Sequence, residues 1–249
     1  TITADEQIEL IAAVAGAVDV PVVAGTGSND TRSAVSNTER ASAAGASGIL
    51  VVTPYYNRPS QAGLLAHFKA VAAATDLPVM LYDIPVRTGR KIDTDTLLEL
   101  AHDVDNIVAL KDAAGDLAAT AMLISEAPED FEVYSGDDVL TLPLLAVGAV
   151  GCVGVATHWT GIEHRDMMTA LDKGDLAEAR RINASLLQSF ALEKSLEAPN
   201  PIPTKAMMRV VGLQVGKGRP PMDVEPPGLE LSARAVLAGT AVGAELGLA

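Results

Sequence analysis

Short, almost wholly apolar runs alternate along this chain with longer segments whose apolar residues return at the spacing of a helical turn. Six runs are of the first kind: Pro21-Val22-Val23-Ala24, Gly48 to Val52, Pro78 to Tyr82, Ile107 to Leu110, Phe131 to Tyr134 and Cys152 to Val155. Four or five apolar residues between turn formers read as a strand buried on both faces of a parallel sheet. Between the runs, residues such as Leu64, Leu65, Phe68, Val71 and Ala72 mark one face of a helix. Two segments open with a capping box, Thr3 with Glu6 and Thr160 with Glu163. Strand alternating with helix predicts parallel strands joined by right-handed crossovers.

Two architectures meet that pattern, a doubly wound open sheet and a closed (β/α)8 TIM barrel. No strand is followed by a full Gly-x-Gly-x-x-Gly turn; Gly25-Thr26-Gly27-Ser28-Asn29 starts like one but lacks the third glycine. Polar and reactive residues instead cluster after successive strand ends, where barrel enzymes carry their chemistry. A barrel needs eight units and six are visible, so the expectation is a barrel lacking its first two strands in this chain. Two strands and one complete helix would then precede Thr1. Residues 1–173 would hold barrel units three to eight with the preceding helix, and residues 174–249 a C-terminal helical region packed on the barrel. That region reads as helices over Leu176–Leu192 and Pro203–Val211, a Gly/Pro linker from Gly216 to Gly228, and one last helix ending near Leu246.

Composition narrows the function classes. The chain has 249 residues, 49% hydrophobic but only 3% aromatic, so its core rests on aliphatic side chains. A net charge of −14 and a pI near 4.6 argue against nucleic-acid or anionic-membrane partners. The nearly uncharged stretch from Val139 to Thr157 is interrupted by Pro143, Gly148, Gly151 and Gly154, and reads as a buried helix and strand rather than a membrane span. The single cysteine, Cys152, reads as a small buried hydrophobe and points to a cytoplasmic location. The four histidines show no ligand spacing, so no metal is expected.

One residue stands out chemically. Lys111 closes the run Ile107 to Leu110, where desolvation would penalise its ammonium and release the neutral amine. Such an amine attacks carbonyls to form Schiff bases. A lysine snorkelling from a strand end is the plain alternative, and its surroundings decide between the two.

Those surroundings are Gly25 to Thr31, Val52 to Gln61, Leu81-Tyr82-Asp83-Ile84-Pro85-Val86-Arg87-Thr88-Gly89, Leu110-Lys111-Asp112, Tyr134-Ser135-Gly136-Asp137-Asp138 and Asn200 to Lys205. In order and spacing they resemble the dihydrodipicolinate synthase family and, more broadly, the pyruvate-dependent class I aldolases related to N-acetylneuraminate lyase. The resemblance implies a lyase that joins pyruvate to L-aspartate 4-semialdehyde, giving 4-hydroxy-tetrahydrodipicolinate for lysine and diaminopimelate biosynthesis. No cofactor is implied. Lys111 would form the imine, and Tyr82 would relay protons. Tyr56 would complete the relay from a neighbouring subunit, which implies a homo-oligomer, a dimer of dimers. Arg87 would clamp the carboxylate of the semialdehyde, and the backbone at Gly136 and Val153 would line the pyruvate pocket.

The same resemblance leaves alternatives and departures. A sugar-acid lyase or aldolase using the same imine is the sister reading, and a non-catalytic paralogue is the third. The family's glycine-rich stretch with two adjacent threonines would fall before Thr1. Val86 stands where many members carry a smaller residue, which implies a tighter loop. Asn29 and Tyr55 match the family's lysine-feedback pattern, but Ser33 replaces an acidic residue, and Ile2 and Asp5 replace histidines. Weak or absent inhibition by lysine is therefore expected.

Overall fold

The computed structural model describes residues 1–248. Its elements run α1 (Ala4–Ala15), β1 (Val23–Gly25), α2 (Thr31–Ala43), β2 (Gly48–Val52), α3 (Gln61–Ala72), β3 (Val79–Asp83), the short α4 (Pro85–Thr88), α5 (Thr94–Asp103), β4 (Ile107–Asp112), α6 (Leu117–Glu126) and β5 (Glu132–Ser135). A 3-10 turn at Asp138–Leu140, α7 (Thr141–Ala146) and β6 (Gly151–Cys152) come next. The chain continues through α8 (Thr157–Asp172), α9 (Leu176–Glu193), α10 (Ile202–Val211), α11 (Leu229–Leu237) and α12 (Ala241–Glu245).

The six strands form one parallel sheet in the order β1-β2-β3-β4-β5-β6. A doubly wound sheet reverses its strand order at a switch point. This one never does, so each crossover carries the chain forward in the same sense, as barrels are wound. The helices after the strands begin where their side chains can cap them. Asp30 accepts from the Ser33 amide at 2.9 Å, Ser60 from Gly63 at 3.2 Å, and Asp116 from Ala119 at 3.1 Å. Such caps are worth about 1 kcal/mol each.

The chain divides into two compact units, one made of Ile2–Gly136 with Val147–Cys152, the other of Asp137–Ala146 with the chain from Val153. The first holds the sheet. Its interior is aliphatic as composition requires, with Ile49, Leu64, Leu81, Ile92, Leu100 and Leu110 buried and Phe68 as its large aromatic. Burying each such side chain contributes about 1.5–3 kcal/mol. The second unit is helical, packed around Trp159, Met167, Leu186, Phe190 and Met207. There the Trp159 indole N–H donates to the Ser189 hydroxyl at 3.1 Å, so the polar end of the largest buried side chain is satisfied.

Several local expectations need correction. The Thr3–Glu6 capping box forms, but the Thr160–Glu163 box does not. Thr160 sits at a kink inside α8 and donates its hydroxyl to the Ala156 carbonyl at 2.7 Å, while Glu163 accepts from the Ala241 amide. The final helical stretch breaks into α11 and α12, with Thr240 capping the second by accepting from Gly243. β6 is only Gly151–Cys152, and Cys152 is half-buried rather than buried. Among the described residues no helix is long and apolar enough to cross a membrane; Val139–Thr157 is divided among the 3-10 turn, α7, β6 and the start of α8.

Candidate active site

The strand ends bring the first two candidates together. Tyr82 on β3 and Lys111 on β4 are register partners in the parallel ladder. Both are half-buried, and the Lys111 Nζ lies 4.1 Å from the centroid of the Tyr82 ring. A register shift between Val79 and Met80 produces this pairing, because Val79 faces Ile107 while Met80 faces Ala109. Without the extra residue, Val108, Tyr82 would face Leu110. Bulges of this kind redirect side chains near functional sites. The backbone of Tyr82 is fixed from the other side by buried Thr53, whose amide and hydroxyl both donate to its carbonyl at 3.0 Å.

Gly136 closes the space beside Lys111. Its amide donates to the Asp112 carbonyl at 2.6 Å. A Cβ at this position would lie 2.9 Å from Lys111 Cγ and 3.1 Å from both Ala113 Cβ and the Asp112 carbonyl. Only glycine lets the β5 loop approach the lysine stem this closely. Val153, the other backbone candidate, directly follows β6 and belongs to the helical unit.

Arg87 lies on α4, a single exposed turn made by Pro85 at its first position and ended by Gly89 in the left-handed region at φ 74°. Thr88 ties this turn down: its hydroxyl lies within reach of two carbonyls, Arg90 at 2.9 Å and Ile84 at 3.2 Å, and donates its one proton between them. Val86 is 88% exposed, so it does not tighten the loop as expected; its branched side chain meets solvent instead of neighbours. Tyr56 is 89% exposed and adopts φ 73°. A bulky residue held in that region costs of order 1–3 kcal/mol and marks a loop fixed by its surroundings. The fixing contacts are the Tyr56 amide on the Thr88 carbonyl at 3.3 Å and the Asn57 side chain on the Asn29 carbonyl at 2.8 Å. Thus Tyr82, Lys111 and Gly136 gather at one spot, whereas the Arg87 and Tyr56 side chains project from loops bound to each other through backbone contacts.

The residues next to the central pair carry a feature that the apolar pattern of the strands conceals. Asp83 and Asp112 are also register partners and are 1% and 5% exposed. One oxygen of Asp83 accepts from the Ile92 amide at 3.3 Å, and the other has no hydrogen-bond partner. Asp112 accepts from the Ala114 amide at 2.8 Å and from the Thr120 hydroxyl. Burial, reinforced by the charge of Asp112, pushes the Asp83 carboxyl up to about 7. Strand alternation was the available signal: a residue following an inward-pointing one must face the helical layer, and a carboxylate there is buried. Among the described residues no group of three or more His, Cys, Asp or Glu side chains is placed to hold a metal ion.

The chain matches the model of the dihydrodipicolinate synthetase family over residues 1–227. It is 46% identical over 224 residues to the 4-hydroxy-tetrahydrodipicolinate synthase of Bacillus subtilis, a match covering 89% of this chain and 77% of that one. The structure of dihydrodipicolinate synthase from Cyanidioschyzon merolae with lysine bound is similar at a TM-score of 0.93 and 41% identity, covering 98% of this chain and 82% of that one. The chloride-inhibited dihydrodipicolinate synthase of Acinetobacter baumannii complexed with pyruvate is similar at a TM-score of 0.88 and 32% identity, covering 98% and 82%.

Proposed function

This chain belongs to the dihydrodipicolinate synthetase family, and from that premise we propose that it condenses pyruvate with L-aspartate 4-semialdehyde to give 4-hydroxy-tetrahydrodipicolinate. The observation that carries the proposal is the pairing of Lys111 with Tyr82 at the ends of adjacent parallel strands, amine over ring at 4.1 Å. The neutral Lys111 amine adds to the keto carbon of pyruvate, and loss of water leaves a protonated imine. The imine draws electrons from the methyl carbon, which gives up a proton to become an enamine. That carbon forms the new bond to the aldehyde of the second substrate, whose amino group then displaces the Lys111 nitrogen, closing the ring and freeing the lysine.

Each transfer of a proton needs a group within hydrogen-bond reach. Tyr82 takes that role beside the lysine, and Tyr56, exposed on its own chain, completes the relay by entering the site of a neighbouring subunit. Arg87 binds the semialdehyde carboxylate through a charge-assisted fork. The backbone at Gly136 and Val153 borders the pyruvate. On the same reading the six strands are units three to eight of a (β/α)8 barrel, the working enzyme is a dimer of dimers, and it acts in the cytoplasm. The pyruvate complex of the Acinetobacter relative supports the choice of keto acid.

Borohydride reduction tests the proposal. With pyruvate present, peptide mapping is expected to find a reduced pyruvyl adduct on Lys111, and turnover with the semialdehyde but not with N-acetylneuraminate. An adduct with turnover of the sugar acid instead assigns the chain to the lyase branch. Absence of any adduct on a folded protein refutes imine chemistry altogether.

A further inference from the structure

We propose that Gln61 is a positioning residue that clasps the loop bearing Tyr56 to the loop bearing Arg87, so that the relay phenol and the carboxylate clamp are held in register with each other. The proposal rests on the function assigned above and extends it to a side chain that acts through other residues.

The clasp follows from where two helices begin. The Tyr56 loop ends at Ser60, whose hydroxyl caps α3 by accepting from the Gly63 amide at 3.2 Å, and Gln61 is the first residue of that helix. The Arg87 loop ends at Asp93, immediately before α5. Between them the half-buried Gln61 carboxamide makes two contacts. Its Nε2 donates to the Lys91 carbonyl at 3.0 Å, and its Oε1 accepts from the Asp93 amide at 3.2 Å. A carbonyl only accepts and an amide N–H only donates, so these partners fix which end of the carboxamide faces which. Asparagine carries the same group but stops one methylene short.

Two more hydrogen bonds join the same loops. The Arg90 Nη2 donates to the Arg58 carbonyl at 3.3 Å, and the Tyr56 amide to the Thr88 carbonyl at 3.3 Å. The Arg58 stem lies along Gly89, where a Cβ would stand 3.4 Å from its Cγ and Cδ. Tyr56 and Arg58 both adopt positive φ, 73° and 47°, a conformation that persists only where neighbours hold it. Of these four bonds Gln61 makes the shortest, and it grips both ends of the Lys91–Asp93 segment. Tyr82 and Lys111 are held separately, by the strand register and by the Thr53 hydroxyl on the Tyr82 carbonyl. Releasing the clasp therefore spares imine formation and disturbs the handling of the second substrate.

Gln61→Ala removes both contacts; Gln61→Glu keeps the acceptor for Asp93 but sets an oxygen against the Lys91 carbonyl. A shift of about 1 Å in a positioning element can cost as much as 100-fold, so KM for the semialdehyde is expected to rise about 10-fold in both variants. The rate of borohydride-trapped pyruvate adduct on Lys111, per folded molecule, should stay near that of the wild type. Loss of folding alone would scale every rate alike and leave KM where it was. Amide exchange of Asp93 supplies a readout independent of activity: protection should fall in Gln61→Ala and survive in Gln61→Glu. An unchanged KM in both variants, a trapping rate that drops in step with KM, or unaltered Asp93 exchange in Gln61→Ala would each overturn the proposal. A wild type that takes up no pyruvate defeats the functional reading instead, since Asp93 exchange still decides whether Gln61 joins the loops.

Discussion

Replacing Gly136 with alanine tests the site at its tightest contact. The added methyl would stand 2.9 Å from Lys111 Cγ, 0.5 Å inside the 3.4 Å at which ordinary contact begins, and 3.1 Å from Ala113 Cβ and the Asp112 carbonyl. Neither of the latter can yield without moving backbone, so the lysine stem must move by roughly half an ångström. Overpacking of this sort typically costs 1–3 kcal/mol of stability, or about 2–12 °C in Tm for a chain of this length. Because a displacement of about 1 Å can cost 100-fold in rate, pyruvate trapping on Lys111 is expected to slow by about 10-fold. The assay is the rate of borohydride-trapped adduct per folded molecule, with folding followed by circular dichroism. Gly161→Ala is the control, since a Cβ there meets nothing within 4 Å, and it should be neutral or slightly stabilising. Should Gly136→Ala trap pyruvate at the wild-type rate, the close packing of the β5 loop on Lys111 is not what orients the amine.

Three further outcomes can be checked separately. Tyr56→Phe removes a single hydroxyl from an exposed ring, so Tm should stay within about 1 °C while turnover falls by at least 10-fold; unchanged turnover refutes the relay. Millimolar lysine should lower the rate only weakly or not at all, because Ser33 offers no carboxylate and its hydroxyl is already donated to Asp30 at 2.6 Å; near-complete suppression would refute this. In the helical unit, burial and the neighbouring Asp138 carboxyl raise the Glu193 carboxyl well above its ordinary range. A raised carboxyl binds its proton more tightly when folded, so its contribution is full below the ordinary carboxylate range and is lost as pH climbs toward the raised value. Glu193→Gln should therefore flatten the decline of Tm between pH 5 and 9, and a parallel decline in both proteins would refute the assignment.

Much of the fold was legible because parallel strands buried on both faces leave an unmistakable apolar signature. The apolar run delimits Gly48–Val52 to the residue, and the other runs mark their strands within a few positions. Errors collected where polar residues had two possible partners. Thr160 resembles an N-cap in spacing, yet its hydroxyl finds the Ala156 carbonyl one turn back, a bond that spacing cannot distinguish from a cap. The break between α11 and α12 depends on Thr240 capping Gly243, in a stretch whose apolar periodicity runs on unbroken. At the site, the resemblance implies that Lys111 and Tyr82 work together, but the strand register that sets them side by side could not be read from the sequence. It depends on the extra residue at Val108, and nothing in Ile107-Val108-Ala109-Leu110 announces a bulge.

That bulge also explains why two acids tolerate burial. Along β3 and β4 the ends read Tyr82-Asp83 and Lys111-Asp112, and the ladder sets tyrosine opposite lysine and aspartate opposite aspartate. Successive side chains point to opposite faces, so each strand end presents one reactive group to one side and one carboxyl to the other. A slip by one residue would exchange the faces of β4. It would turn Lys111 toward Leu97 and Leu123 of the helix-lined cavity and strip Asp112 of the Ala114 and Thr120 donors that satisfy it. An ion left buried without its partners costs several kcal/mol, more than any single apolar contact on these strands contributes. The carboxyl pair thus weakens the native state slightly by its mutual repulsion while penalising the wrong register far more. The pairing of Lys111 with Tyr82 is enforced from behind, by carboxyls on the opposite face of the same strand ends.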